Sequence, residues 1–153
     1  ANNWYASQTN LSFEVGNAED LPLEDNSKDI IYNVESSHCY GNVEAFVKEV
    51  YRSLRNGGNF CWTDFRDKET MEKLHDIFLD AGFEIVSKKD VTKEVLDALD
   101  DINDSKVKGI SESVPMGMRK SFETFAGVQG TPVYEAFKAG NLHYHRYLMV
   151  KSE

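Results

Sequence analysis

The feature that most constrains the fold is an alternation between residues 28 and 86. Short apolar runs take turns with amphipathic helical patterns. Residues 28–34 form a near-continuous apolar run bounded by polar residues, as expected for a strand covered on both faces. From Asn42 the period changes. Val43, Phe46, Val47, Val50, Tyr51 and Leu54 fall on one face of a helix. Asn42 caps its first turn, Glu44 suits its positive end, and Arg52 and Arg55 suit its negative end. Asn56-Gly57-Gly58 is expected to stop it. Residues 59–65 read as a second buried strand. Asp67 caps a helix that turns Met71, Leu74, Ile77, Phe78 and Ala81 inward and closes at Gly82. Residues 83–86 are a third strand. Strand–helix–strand–helix–strand means a parallel sheet with right-handed crossovers, an α/β fold.

The flanks are less regular. Residues 11–15 alternate apolar and polar, the pattern of a half-buried strand, and end in a turn at Gly16-Asn17. Thr92 opens an acidic helix with Val95, Leu96, Leu99 and Ile102 on one face. Its acidic residues read as a solvated surface. Residues 103–130 break the rhythm and are expected to form one or two short helices, a cap insertion over the site. Pro132 starts a further helix, and residues 143–150 close the chain as a strand. No linker marks a boundary, so residues 1–153 read as a single domain.

In open α/β sheets ligands bind outside the carboxyl ends of the strands. Residues 33–40, Asn-Val-Glu-Ser-Ser-His-Cys-Tyr, stand at such an end and carry the densest cluster of polar, ionisable and aromatic groups. Composition removes some functions. A formal net charge of −9 argues against a nucleic-acid binder. No apolar run approaches the roughly 20 residues of a membrane span. The start shows no basic region followed by an apolar run, so no signal peptide is read. Cys39 and Cys61 have neither metal-ligand spacing nor a disulfide framework, which suits two buried thiols in a reducing, cytoplasmic setting. His143 and His145 lie two apart on a strand and face one way. With no further ligand spaced to help them, no metal site is expected.

Three segments carry a family resemblance. The run from Gly16-Asn17-Ala18-Glu19-Asp20-Leu21-Pro22 to Ile31 is one. The helix and turn from Phe46 to Gly58, Phe-Val-Lys-Glu-Val-Tyr-Arg-Ser-Leu-Arg-Asn-Gly-Gly, is another. Ala81-Gly82-Phe83-Glu84-Ile85-Val86 is the third. Together they resemble class I S-adenosylmethionine-dependent methyltransferases. Within the family, residues 34–40, Thr63-Asp64-Phe65-Arg66 and residues 125–130 look most like the phthiotriolone/phenolphthiotriolone dimycocerosates methyltransferase group. The resemblance implies a partial Rossmann-like sheet, mostly parallel, with an antiparallel carboxy-terminal strand and helices on both faces. It implies S-adenosylmethionine as cofactor and methyl transfer to an oxygen of a sizeable apolar small molecule. Transfer to nitrogen or carbon, or a non-catalytic remnant acting as a binding module, stays open. The family's glycine-rich cofactor loop has no counterpart upstream of Leu11. The resemblance therefore implies a fragment, lacking part of the cofactor site. Residues 11–15 would then be a strand without neighbours.

The resemblance also assigns roles. Asn17 and Ala18 match the positions that meet the adenine edge, although Asn17 also suits a plain turn. Asn33, Val34 and Glu35 match the strand end along the cofactor's methionine part. His38 is the candidate base, because O-methyl transfer needs a hydroxyl to lose its proton and an imidazole titrates near neutral pH. Asp64, at the next strand end, is placed beside it as an orienting carboxylate, with a salt bridge to Arg66 or a helix cap as its alternatives. Tyr40, Phe65, Met116, Met118 and Phe122 are expected to line an apolar substrate pocket. Trp62 reads as core.

Overall fold

The computed structural model describes Tyr5 and residues 9–152. Four strands form one sheet in the order β1-β2-β4-β3, with β1 at Lys28–Val34, β2 at Leu54–Arg66, β3 at Phe83–Asp90 and β4 at His143–Lys151. β1 and β2 are parallel, and β4 runs antiparallel to both β2 and β3. The mixed sheet with its antiparallel last strand agrees with the expectation.

Helices α1 (Val43–Ser53) and α2 (Lys68–Asp80) cover one face. The core lies beneath them. Val47, Val50, Leu54, Phe60, Trp62, Leu74, Phe78 and Met149 are all essentially inaccessible to solvent. Each such side chain contributes roughly 1.5–3 kcal/mol by leaving water. Both helix caps follow the sequence: Asn42 accepts from the Ala45 amide and Asp67 from the Thr70 amide. Gly82, at φ 101°, makes the turn after α2.

The far end of α1 differs from expectation. The helix stops at Ser53, and Leu54 is already extended. Arg55 and residues 56–58 belong to β2, with a register shift opposite Lys28 and Ile30, so Gly57 (φ 75°) shapes a bulge rather than a helix stop. The cause is a tertiary contact. The nearly buried Lys151 Nζ donates to the Tyr51 and Leu54 carbonyls at 2.9 and 2.8 Å and to Asn26 Oδ1 at 2.9 Å. It thus supplies the cation that a helix carboxyl end needs. Lys151→Met leaves those carbonyls unpaired and is expected to lower unfolding free energy by about 2 kcal/mol, read as a shift of the urea midpoint.

The half-buried strand expected at residues 11–15 is absent. The segment is irregular, with Leu11, Phe13 and Val15 exposed. β1 also departs from a doubly covered strand. Ile31 and Asn33 turn inward, while Ile30, Tyr32 and Val34 are 63%, 76% and 57% exposed. It is the sheet's edge, and among the described residues the second face is covered chiefly at the carboxyl end of β2. There Phe137 of α6 (Pro132–Lys138) packs on Phe65 and Tyr144.

α3 (Thr92–Asp101), α4 (Asn103–Ser113), α5 (Arg119–Phe125) and α6 form a small helical layer of their own. Asp100 accepts from Gln129 Nε2 and the Tyr134 hydroxyl, each at 2.7 Å, and Lys106 Nζ donates to the Ala126 carbonyl at 2.9 Å. Ile102 ends α3 half exposed instead of joining its inner face. Cys61 is only partly covered and Cys39 is exposed, so neither is the buried thiol expected.

Candidate active site

The site begins where β1 runs out. The Glu35 amide still donates to the Thr63 carbonyl, prolonging the pairing with β2 by one residue. Glu35 then takes a left-handed backbone, φ 47°, which costs a non-glycine residue of order 1 kcal/mol. Its carboxylate accepts from the Tyr144 hydroxyl at 2.7 Å. Burial, then this bond, push the Tyr144 phenol well above its ordinary pKa, so it stays a neutral donor. A 3-10 turn at Ser37–Cys39 follows and swings Ser37 and His38 over the end of β2.

Asp64, fully buried at that end, is the hub. One carboxylate oxygen accepts from His38 Nδ1 at 2.8 Å and from the Phe65 amide at 2.9 Å. The other accepts from Ser37 Oγ at 2.8 Å and the His38 amide at 3.1 Å, with Arg66 Nη1 at 3.3 Å. Ser37 Oγ in turn accepts from Trp62 Nε1 and Arg66 Nη2, both at 2.9 Å. Burial alone would raise the Asp64 pKa. The bonds from His38, Phe65 and Ser37 and the charge of Arg66 outweigh it and hold the carboxyl below its usual range.

An ionised Asp64 only accepts, so His38 Nδ1 carries a proton, and in the neutral ring Nε2 is the nitrogen with the lone pair. The imidazole is 29% exposed and lies against Phe65, ring centroids 4.7 Å apart. The arrangement is a histidine oriented by a buried carboxylate, with one basic nitrogen presented outward. It can take a proton from a substrate group within hydrogen-bond reach.

His38 and Asp64 are therefore brought together as the sequence suggested, and the Arg66 ion pair forms as well. Asn33 is buried, and its amide nitrogen donates to Ser36 Oγ at 2.6 Å and Tyr40 Oη at 3.2 Å. Its carbonyl oxygen has no partner among the described residues. Tyr40 has a structural position, with its ring edge-on to Phe46 at 4.9 Å. Asn17 is exposed and accepts from the Glu19 amide at 3.1 Å, while Ala18 packs on the core. Phe65 lies beside His38. Met116, Met118 and Phe122 stay 82%, 53% and 43% exposed on the helical layer, and line neither the cavity beside Trp62 nor the one beside Asp90. Sequence reasoning missed Tyr144. Its signal was the alternation of β4, which turns Tyr144 to the opposite face from His143 and His145 at the sheet's carboxyl edge.

The family described as "Methyltransferase domain" matches residues 1–62. The phthiotriol/phenolphthiotriol dimycocerosates methyltransferase of Mycobacterium tuberculosis is 32% identical over 141 residues, which cover 92% of this chain and 52% of that protein. Over most of its length the chain is similar to this S-adenosylmethionine-dependent type of methyltransferase. The fatty-acid O-methyltransferase of Mycolicibacterium smegmatis is 30% identical over 141 residues, covering 92% of the chain and 51% of the relative. This methyltransferase-like chain thus spans about half the length of the curated relatives it matches. Its fold is also that of a solved structure described as a putative sarcosine dimethylglycine methyltransferase from Galdieria sulphuraria. The TM-score is 0.79 at 18% identity, over 99% of this chain and 63% of the other.

Proposed function

We propose that the protein carrying this chain moves a methyl group from S-adenosylmethionine to an oxygen of a large apolar molecule, with His38 as general base. The observation that carries the reading is the His38–Asp64 pair, held at the carboxyl ends of two parallel strands with its free nitrogen outward. Relatives named for methylating phthiotriol lipids and fatty acids support an oxygen acceptor on an apolar body. A ring cluster beside the histidine suits such a body: Phe65, Phe137 and Tyr144, with centroids 5.5–6.4 Å apart.

The residues fit two parts of the cofactor. The buried, unpaired Asn33 carbonyl oxygen and the Glu35 carboxylate stand at the same strand end, and two acceptors suit an ammonium group. Asn17 Oδ1 uses one lone pair within its turn and has a second for an exocyclic amine, next to Ala18. When bound, the cofactor supplies an electrophilic methyl on a sulfonium. The chain's own residues do the rest. His38 Nε2 takes the acceptor's proton, and Asp64 stabilises the charged ring through Nδ1. Tyr144 holds Glu35 in place. The aromatic wall excludes water and fixes the acceptor, and such positioning supplies much of the rate.

The test is transfer of a radiolabelled methyl by the full-length protein to long-chain hydroxy and carboxylic lipids, with long-chain amines in parallel. Label is expected in ethers or esters. Label on amines alone overturns the oxygen assignment. No transfer to any acceptor by a protein that binds the cofactor overturns the enzyme reading.

A further inference from the structure

We infer that Asp90, His143 and His145 form a binding site for a divalent transition metal of the zinc class, separate from the His38 site.

The strands build it. Asp90 and His145 are register partners across β3 and β4, and His143 lies two residues along β4 on the same face. Asp90 Oδ2 is 3.5 Å from His143 Nδ1 and 3.5 Å from His145 Nε2, and all three atoms lie within 4.8 Å of one another. A tetrahedral ion with bonds of about 2.1 Å sets its ligands about 3.4 Å apart, so the two short separations suit a shared ion. Two imidazoles and one carboxylate are a donor set that selects zinc or iron over magnesium or calcium, and it leaves open positions.

The carboxylate is also prepared for the task. Asp90 Oδ1 accepts from the Thr92 amide at 2.8 Å and the Thr92 hydroxyl at 2.5 Å, which fixes its orientation and leaves Oδ2 for the ion. Outer bonds of this kind typically change metal affinity 10–100-fold. The three side chains edge a cavity of about 230 Å³ between the sheet and the start of α2. Glu72 lines it and offers a further oxygen. Lys68 and Lys88 also line it, and Lys88 Nζ is turned toward the Tyr147 ring, 5.5 Å from its centroid. Asp90 is half exposed, so an ion has a way in.

The experiment is calorimetric titration of the chelator-treated full-length protein with Zn²⁺, and of the same protein with Co²⁺ followed by visible absorption. Saturable one-to-one binding is expected. His143→Ala and Asp90→Asn should each weaken it at least about 10-fold, and Thr92→Val about 10-fold through the carboxylate's orientation. His38→Ala and His75→Ala should leave it unchanged. Circular dichroism of each variant confirms that the fold is retained, and His143→Cys, which restores a ligand, should recover Co²⁺ binding with a thiolate absorption band. Absence of saturable binding overturns the inference. So does binding that follows His38 or His75 instead.

Discussion

In the full-length protein, His38→Ala is expected to lower kcat by about 10²–10⁴-fold while the Kd for S-adenosylmethionine stays within about twofold. The split follows from geometry. Among the described residues the His38 ring bonds only to Asp64 and leans on Phe65, while the polar groups that fit the cofactor come from Asn17, Asn33 and Glu35. Removing the ring deletes the proton acceptor and leaves the cofactor's end of the site intact. His38→Gln fills much of the same space but cannot take the proton, so it should resemble the alanine variant. Turnover at the normal rate in both, measured at saturating acceptor, removes His38 from the mechanism.

Asp64→Ala is expected to be the most damaging single change to stability, costing about 3–5 kcal/mol in denaturant unfolding. The residue is wholly buried. Its loss strands the Ser37 hydroxyl, the His38 and Phe65 amides and the mostly covered Arg66 guanidinium in a dry environment. The pH dependence gives a second measurement. The folded carboxyl titrates below its unfolded value of about 3.9. Its contribution is therefore fully present above that value and fades as pH falls through the lower, folded value. The stability gap between wild type and Asp64→Ala should be constant above about pH 5 and narrow on acidification. A gap below about 1 kcal/mol at neutral pH would show that the carboxylate is dispensable to the fold.

The legible parts of the sequence were those governed by local chemistry. Asn42 and Asp67 cap the helices they precede because a side-chain acceptor next to free amides needs nothing from afar. The pairing of His38 with Asp64 was legible because parallel neighbours end at one edge. The failures were all long-range. Leu54 continues the α1 pattern and leaves it because Lys151, 97 residues away, takes its carbonyl. Residues 11–15 alternate like a strand but do not join the four-stranded sheet. Tyr144 reaches Glu35 across 109 residues, and Asp90 reaches the two histidines only once β3 and β4 are zipped. Spacing along the chain cannot show Asp90 as a neighbour of His143 and His145, because it comes from the next strand.

The sheet order carries one more consequence. β4 is the last strand in chain order, yet it lies between β2 and β3. Among the four described strands, β3 therefore has no backbone partner until β4 arrives and slots into the gap. During synthesis β1, α1, β2 and α2 can pack by local closure, while β3 must wait roughly 60 residues, exposed to the wrong neighbours. Folding should thus be slow and concerted at its last step, and the chain is most vulnerable to proteases and to self-association in the interval before that strand inserts.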